Sequence, residues 1–153
     1  MNCSFAPDPA QQRDPADIPN AAFWPALNMT TFCDQYAIDA ALDNAMIRNA
    51  LMIAAAATNR RLATWQSQQV AAGFSTLADD QLGGADILPQ LYLAAAYNTA
   101  KADLVRRSIS TGRREDAEAA AREATDLADH YQAQATAALA EIQNQSATGV
   151  WLI

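Results

Sequence analysis

The 153-residue chain has the length of one domain with a modest core, too short for separate cofactor and substrate domains. A formal net charge of -7 argues against a surface that grips nucleic acid by neutralising phosphates, while serving solubility equally well. Cys3 and Cys33 show no CxxC spacing and His130 is the single histidine, so neither a zinc site nor a disulfide framework is supported, no cofactor is expected, and the reading is a reduced, cytosolic one.

No run of about 18 apolar residues is present, and the polar, proline-dotted start lacks a signal peptide's basic and apolar stretches. Membrane insertion and export are therefore not expected. Roughly a quarter of the chain is alanine, the best helix former, against 5 glycines and 6 prolines. The expected fold class is all-α: a small helical bundle with two long helices, a flexible N-terminal arm and an extended C-terminal tail. The expected division is an arm over residues 1–22 and outside the core, a helical domain over 23–148 and a tail over 149–153.

In chain order, Pro7, Pro9, Pro15 and Pro19 keep the arm extended or flexible. A short helix is expected over 31–36, capped by Thr30 or Thr31. A long helix should follow over 39–72 with Asp39 as N-cap and Gly73 just past its end. Its stripes Leu42, Met46, Ile53, Ala57 and Ile47, Leu51, Leu62, Trp65 together make a wide apolar face, so packing on more than one side is expected. Residues 74–85 read as a loop. Asp86 then caps a helix over 87–110, in which Pro89 falls in the first turn, where its missing N–H costs nothing.

The last helix, expected over 114–144, opens with Glu115, Asp116 and Glu118, which suit the positive end of its dipole. Ala117, Ala121, Ala124, Ala128, Tyr131, Ala135, Ala138 and Ile142 alternate steps of four and three, a heptad seam for helix or subunit packing. Alanine knobs let the partner helix approach closely but bury little area each. After Gly149 come Val150, Trp151, Leu152 and Ile153, four large apolar side chains that call for a partner.

Patterns that carry catalysis do not stand out. There is no GxxxxGK[ST], GxGxxG, HExxH or GxSxG, and His130 beside Asp126 and Asp129 reads as a solvated surface residue. No enzyme is expected. Glu115, Asp116, Glu118, Glu123, Asp126 and Asp129 lack the Glu-x-x-His pattern of di-iron bundles and read as a solvated face. Arg106, Arg107, Arg113 and Arg114 form the densest basic cluster. Its simplest uses are dipole capping and pairing with Glu115 and Asp116; a partner's acidic surface or a DNA phosphate is the alternative.

The stretch Val70-Ala71-Ala72-Gly73-Phe74-Ser75-Thr76-Leu77-Ala78-Asp79 is similar to the "AAGF/Y-x-x-L-A-D" segment of the phage head completion proteins, the GPL family of contractile-tailed phages. A Phe23-Trp24-Pro25 entry, a long helix of small residues, an Arg-Arg-Glu-Asp turn and an apolar ending also agree, so the resemblance covers about 23–153. Departures are Gly83-Gly84 after Asp79, Gln143-Asn144-Gln145 before the tail, and Trp151 at a commonly polar position.

The resemblance implies a structural virion protein: a ring, expected to be a dodecamer, bound under the portal protein, prolonging the DNA channel and meeting a neck or tail-completion protein. It implies location at the head-tail interface of the virion, after assembly in the host cytoplasm. Within that reading, Val150, Trp151, Leu152 and Ile153 anchor to the portal. Asp79, Asp80, Glu118, Glu123 and Asp126 line or rim the path of double-stranded DNA, which passes without sequence-specific binding. The alternative is a helical adaptor or regulatory protein that binds one partner outside any virion.

Overall fold

The computed structural model describes residue 13 and residues 16–78, 87–109 and 117–148. These residues form five helices and one two-stranded ribbon. The fold is all-α, as its alanine content dictates.

The ribbon comes first. β1 (Asp17–Ile18) pairs antiparallel with β2 (Leu27–Asn28), with Ile18 opposite Leu27. Ile18 is 1 % exposed, so it belongs to the core although it stands in the segment expected to lie outside it. A strong local reason is visible in the partners: Leu27 is fully buried, and Asn28 Nδ2 donates to Asp17 Oδ1 at 2.9 Å. Further back, Arg13 donates to the Leu42 carbonyl at 2.7 Å and to Asn44 Oδ1 at 2.8 Å, tying the chain before the ribbon to the start of the next long helix.

α1 (Met29–Gln35) starts two residues earlier than expected, because Asn28 and not a threonine is its cap, accepting from the Thr31 N–H at 2.8 Å. α2 (Asn44–Arg61) starts five residues later than expected. Asp39 instead closes a turn, accepting from the Ala41 N–H at 2.9 Å, and Asp43 caps the helix through the Ala45 N–H. The expected single helix is interrupted by one turn residue, Leu62, and α3 (Ala63–Ala71) follows directly. No proline or glycine causes the break. It coincides with full burial of Leu62 and near-full burial of Trp65.

Of the two apolar stripes, Ile47, Leu51, Leu62 and Trp65 are buried, whereas Met46 and Ile53 are 41 % and 49 % exposed. The helix therefore buries one side, not two, and Met46, Met52 and Ile53 remain on its outer face.

Gly73 has a φ of +103°, and the Gly73 and Phe74 N–H groups donate to the Val70 and Gln69 carbonyls at 3.0 and 3.1 Å. This is a Schellman turn, which closes α3 through a left-handed glycine. The Ala-Gly-Phe part of the motif is thus a structural corner. It sends Leu77 back to the core, where its N–H donates to the Phe23 carbonyl at 2.9 Å. Gly73→Ala meets no steric neighbour but must hold the left-handed conformation, so a loss of about 1–2 kcal/mol is expected by urea unfolding.

α4 (Ile87–Ile109) and α5 (Ala117–Thr148) are the two long helices, and they pack antiparallel. Lys101 Nζ lies 6.0 Å from the Tyr131 ring centre and Arg106 pairs with Asp129 at 3.0 Å, so rising numbers on α4 meet falling numbers on α5. Against the other side of α4 lie α2 and an aromatic stack. The Trp24 and Tyr92 rings sit 4.9 Å apart at 15°, with Phe23 and Trp65 beside them.

Candidate functional site

The residues that bear on function lie on α5, on the cleft beside α4, and in segments outside the described residues. On α5 the inward seam is in place. Ala128 and Ala135 are fully buried, Ala121, Ala124 and Tyr131 are half-buried, and Ala138, Leu139 and Ile142 continue the buried line. Ala117 heads the helix, its side chain outside the described set. Across the seam lies α4, on which Ala102 is likewise fully buried. The seam's partner is therefore α4 of the same chain.

The outward face of α5 divides in two. Its first half carries the exposed carboxylates Glu118, Glu123, Asp126 and Asp129. Its second half is a shallow groove of about 590 Å³, lined by Asp129, Gln132, Ala133, Thr136, Ala137 and Ala140. Asp79, Asp80, Val150, Trp151, Leu152 and Ile153, the other residues assigned to the channel and the portal, lie outside the described residues.

The basic cluster finds partners other than those expected. Arg106 bridges to Asp129 on α5, with side chains 47 % and 66 % exposed, and Arg107 Nε stands 2.8 Å from Asp103 Oδ2 one turn earlier. Exposed pairs of this kind contribute about 0.2–1 kcal/mol at most. Arg113, Arg114, Glu115 and Asp116 lie outside the described residues. His130 is exposed and bonds Gln134 at 2.8 Å one turn on, a surface contact. Among the described residues no group of three or more His, Cys, Asp or Glu side chains is placed to hold a metal ion, and no helix is long and apolar enough to cross a membrane.

Two features carry no signal in the sequence. The first is a closed polar triangle: Asn20 Nδ2 donates to Tyr92 Oη at 2.7 Å, Tyr92 Oη to Asn59 Oδ1 at 2.6 Å, and Asn59 Nδ2 to Asn20 Oδ1 at 2.9 Å. Burial pushes the Tyr92 hydroxyl up to about 12, against the smaller opposing effect of the Asn20 bond. The second is a cleft of about 580 Å³ between α1 and α4, lined by Thr31, Gln35, Tyr36, Gln90, Leu91, Leu93, Ala94 and Tyr97. At its lower end Tyr36 accepts a bond from Lys101 Nζ at 3.0 Å through its carbonyl, and its ring faces those of Tyr97 and Tyr131 at 6.1 and 6.0 Å.

The fold therefore offers a long antiparallel helix pair with an alanine seam, an outer face divided between carboxylates and a shallow groove, and a lined side cleft. The chain belongs to the phage head completion proteins: the family model described as Phage head completion protein (GPL) matches residues 18–153. No curated protein and no solved structure matches it. The family is a structural one, with a role in phage head assembly and hence in the virion.

Proposed function

We propose that this protein forms a dodecameric ring beneath the portal protein, prolongs the DNA channel and presents a surface to a neck or tail-completion protein. The observation that carries the reading is the family match over residues 18–153, which supports a structural task in phage head assembly. Two further features support it. The carboxylates Glu118, Glu123 and Asp126 are all exposed on one long helix, and a wall of such charge repels DNA phosphates, letting the duplex slide without sticking. Asp79 and Asp80 are assigned to the same rim. The alanine seam is used up within the chain, so ring contacts fall to other surfaces, for which the exposed Met46, Met52 and Ile53 are available.

The anchor to the portal is assigned to Val150, Trp151, Leu152 and Ile153, entering it as an extended strand. In an extended segment alternate side chains point to opposite sides, so all four are buried only if the segment is inserted or sandwiched. Pairing with a sheet edge also satisfies the backbone groups. Each large side chain contributes about 1.5–3 kcal/mol when buried, multiplied around a ring. Deleting residues 150–153 is expected to leave helical circular dichroism unchanged and abolish co-sedimentation with portal rings. Truncated protein that still completes heads at the normal rate would remove the tail from this role.

A further inference from the structure

We propose that the cleft between α1 and α4 receives the chain's own segment Val150, Trp151, Leu152, Ile153 before the portal does; this rests on the reading of that segment as the portal anchor. The cleft has the chemistry for an extended apolar peptide. Leu91, Leu93 and Ala94 with the Tyr36 and Tyr97 rings make an apolar bed, and Thr31, Gln35 and Gln90 bring side chains that both donate and accept hydrogen bonds. An extended segment needs both, since each residue brings one N–H and one C=O along with its side chain.

Chain geometry delivers the segment to this place. Tyr131 stands level with Lys101. Thr148 follows Tyr131 by 17 residues, about 25 Å of helix, and Ile87 precedes Lys101 by 14 residues, about 21 Å. α5 therefore ends within about one turn of the level at which α4 begins, and Gln90, at the near end of the cleft, is only about 4.5 Å further down α4. Residues 149–153, at about 3.3 Å each, span roughly 16 Å. That is enough for Leu152 and Ile153 to enter the cleft from α5's own end. Held there, Leu152 and Ile153 are kept from water and from other copies until a portal site of higher affinity draws the segment out.

A cysteine pair tests this. Gln90→Cys with Leu152→Cys is placed in full-length protein carrying Cys3→Ser; Cys33 stays, since burial raises its pKa and keeps it protonated and unreactive. The control pairs Leu152→Cys with Gln143→Cys on the exposed face of α5, which an undocked tail reaches as readily as Gln90. Circular dichroism verifies that both variants fold. Under mild oxidation the first pair is expected to form an intramolecular disulfide about tenfold faster than the control, as a docked tether demands. Equal rates would overturn the proposal, and so would disulfide-linked dimers alone, which assign the segment to a second copy. Portal capture by oxidised and by reduced protein then judges the anchor separately. Loss of capture on oxidation, restored by reduction, is expected; equal capture would defeat the anchor reading without touching the cross-linking result.

Discussion

Ala128→Leu is expected to destabilise the protein by about 1–3 kcal/mol, the usual cost of forcing extra methylenes into a packed seam. Ala128 is fully buried, and just past it on α5 Asp129 pairs with Arg106 and Tyr131 meets Lys101, so α4 and α5 lie close together here. On α4, Ala102 is likewise fully buried, as close packing of the two helices requires. Relief requires the helices to part, which loosens the whole pair. Ala133→Leu, on the exposed face of the same helix, should change stability by less than about 0.5 kcal/mol. Urea unfolding followed by helical circular dichroism compares the two. Equal effects would mean that the seam does not hold the helices closely.

The second large effect is at Tyr92. Removing its hydroxyl by Tyr92→Phe deprives the half-buried Asn59 Oδ1 of its donor, and a loss of about 1 kcal/mol is expected, the lower end of the cost of an unmatched buried group. Asn20 Nδ2 loses less, since it also donates to the Pro25 carbonyl at 3.0 Å. The pH dependence follows from the direction of the shift. The Tyr92 hydroxyl titrates at its ordinary value of 10.0 when unfolded and at about 12 when folded. Its contribution is thus fully present below pH 10 and is lost as pH rises towards 12, because the unfolded chain releases its proton first.

Burial also raises Tyr36 and Tyr97, which add to the same alkaline loss, and lowers Lys101, which acts in the opposite sense. The difference between wild type and Tyr92→Phe isolates the single group. The two unfolding curves should converge between pH 10 and 12; parallel curves through that window would contradict the buried triangle.

How far the sequence reaches is seen residue by residue. Pro89 in the first turn marked the start of α4 within a residue, and Gly73 marked the end of α3, because each has a backbone requirement that reads locally. The α5 seam was legible for the same reason, as spacing alone reports it. Its partner was not, since a heptad on one helix does not name the helix opposite. Asp39 and Asp43 are equally good caps by type; the choice between them falls on the turn that Asp39 closes and on Arg13, which reaches Leu42 and Asn44 from a distant part of the chain. The interruption at Leu62 leaves no local mark, and Trp65 just after it packs against Phe23 and Trp24, about forty positions away. The Asn20, Tyr92 and Asn59 triangle joins residues separated by 33 to 72 positions and leaves no periodic trace.

The central claim, a ring beneath the portal, is tested most directly by mixing the purified full-length chain with portal rings of the same phage and measuring mass by light scattering after size exclusion. The expected result is a single complex carrying about twelve copies per portal ring, with the chain alone running as a monomer or weak oligomer because its seam is satisfied internally. A chain that stays free of the portal, or that closes into full rings at micromolar concentration without it, would contradict the account.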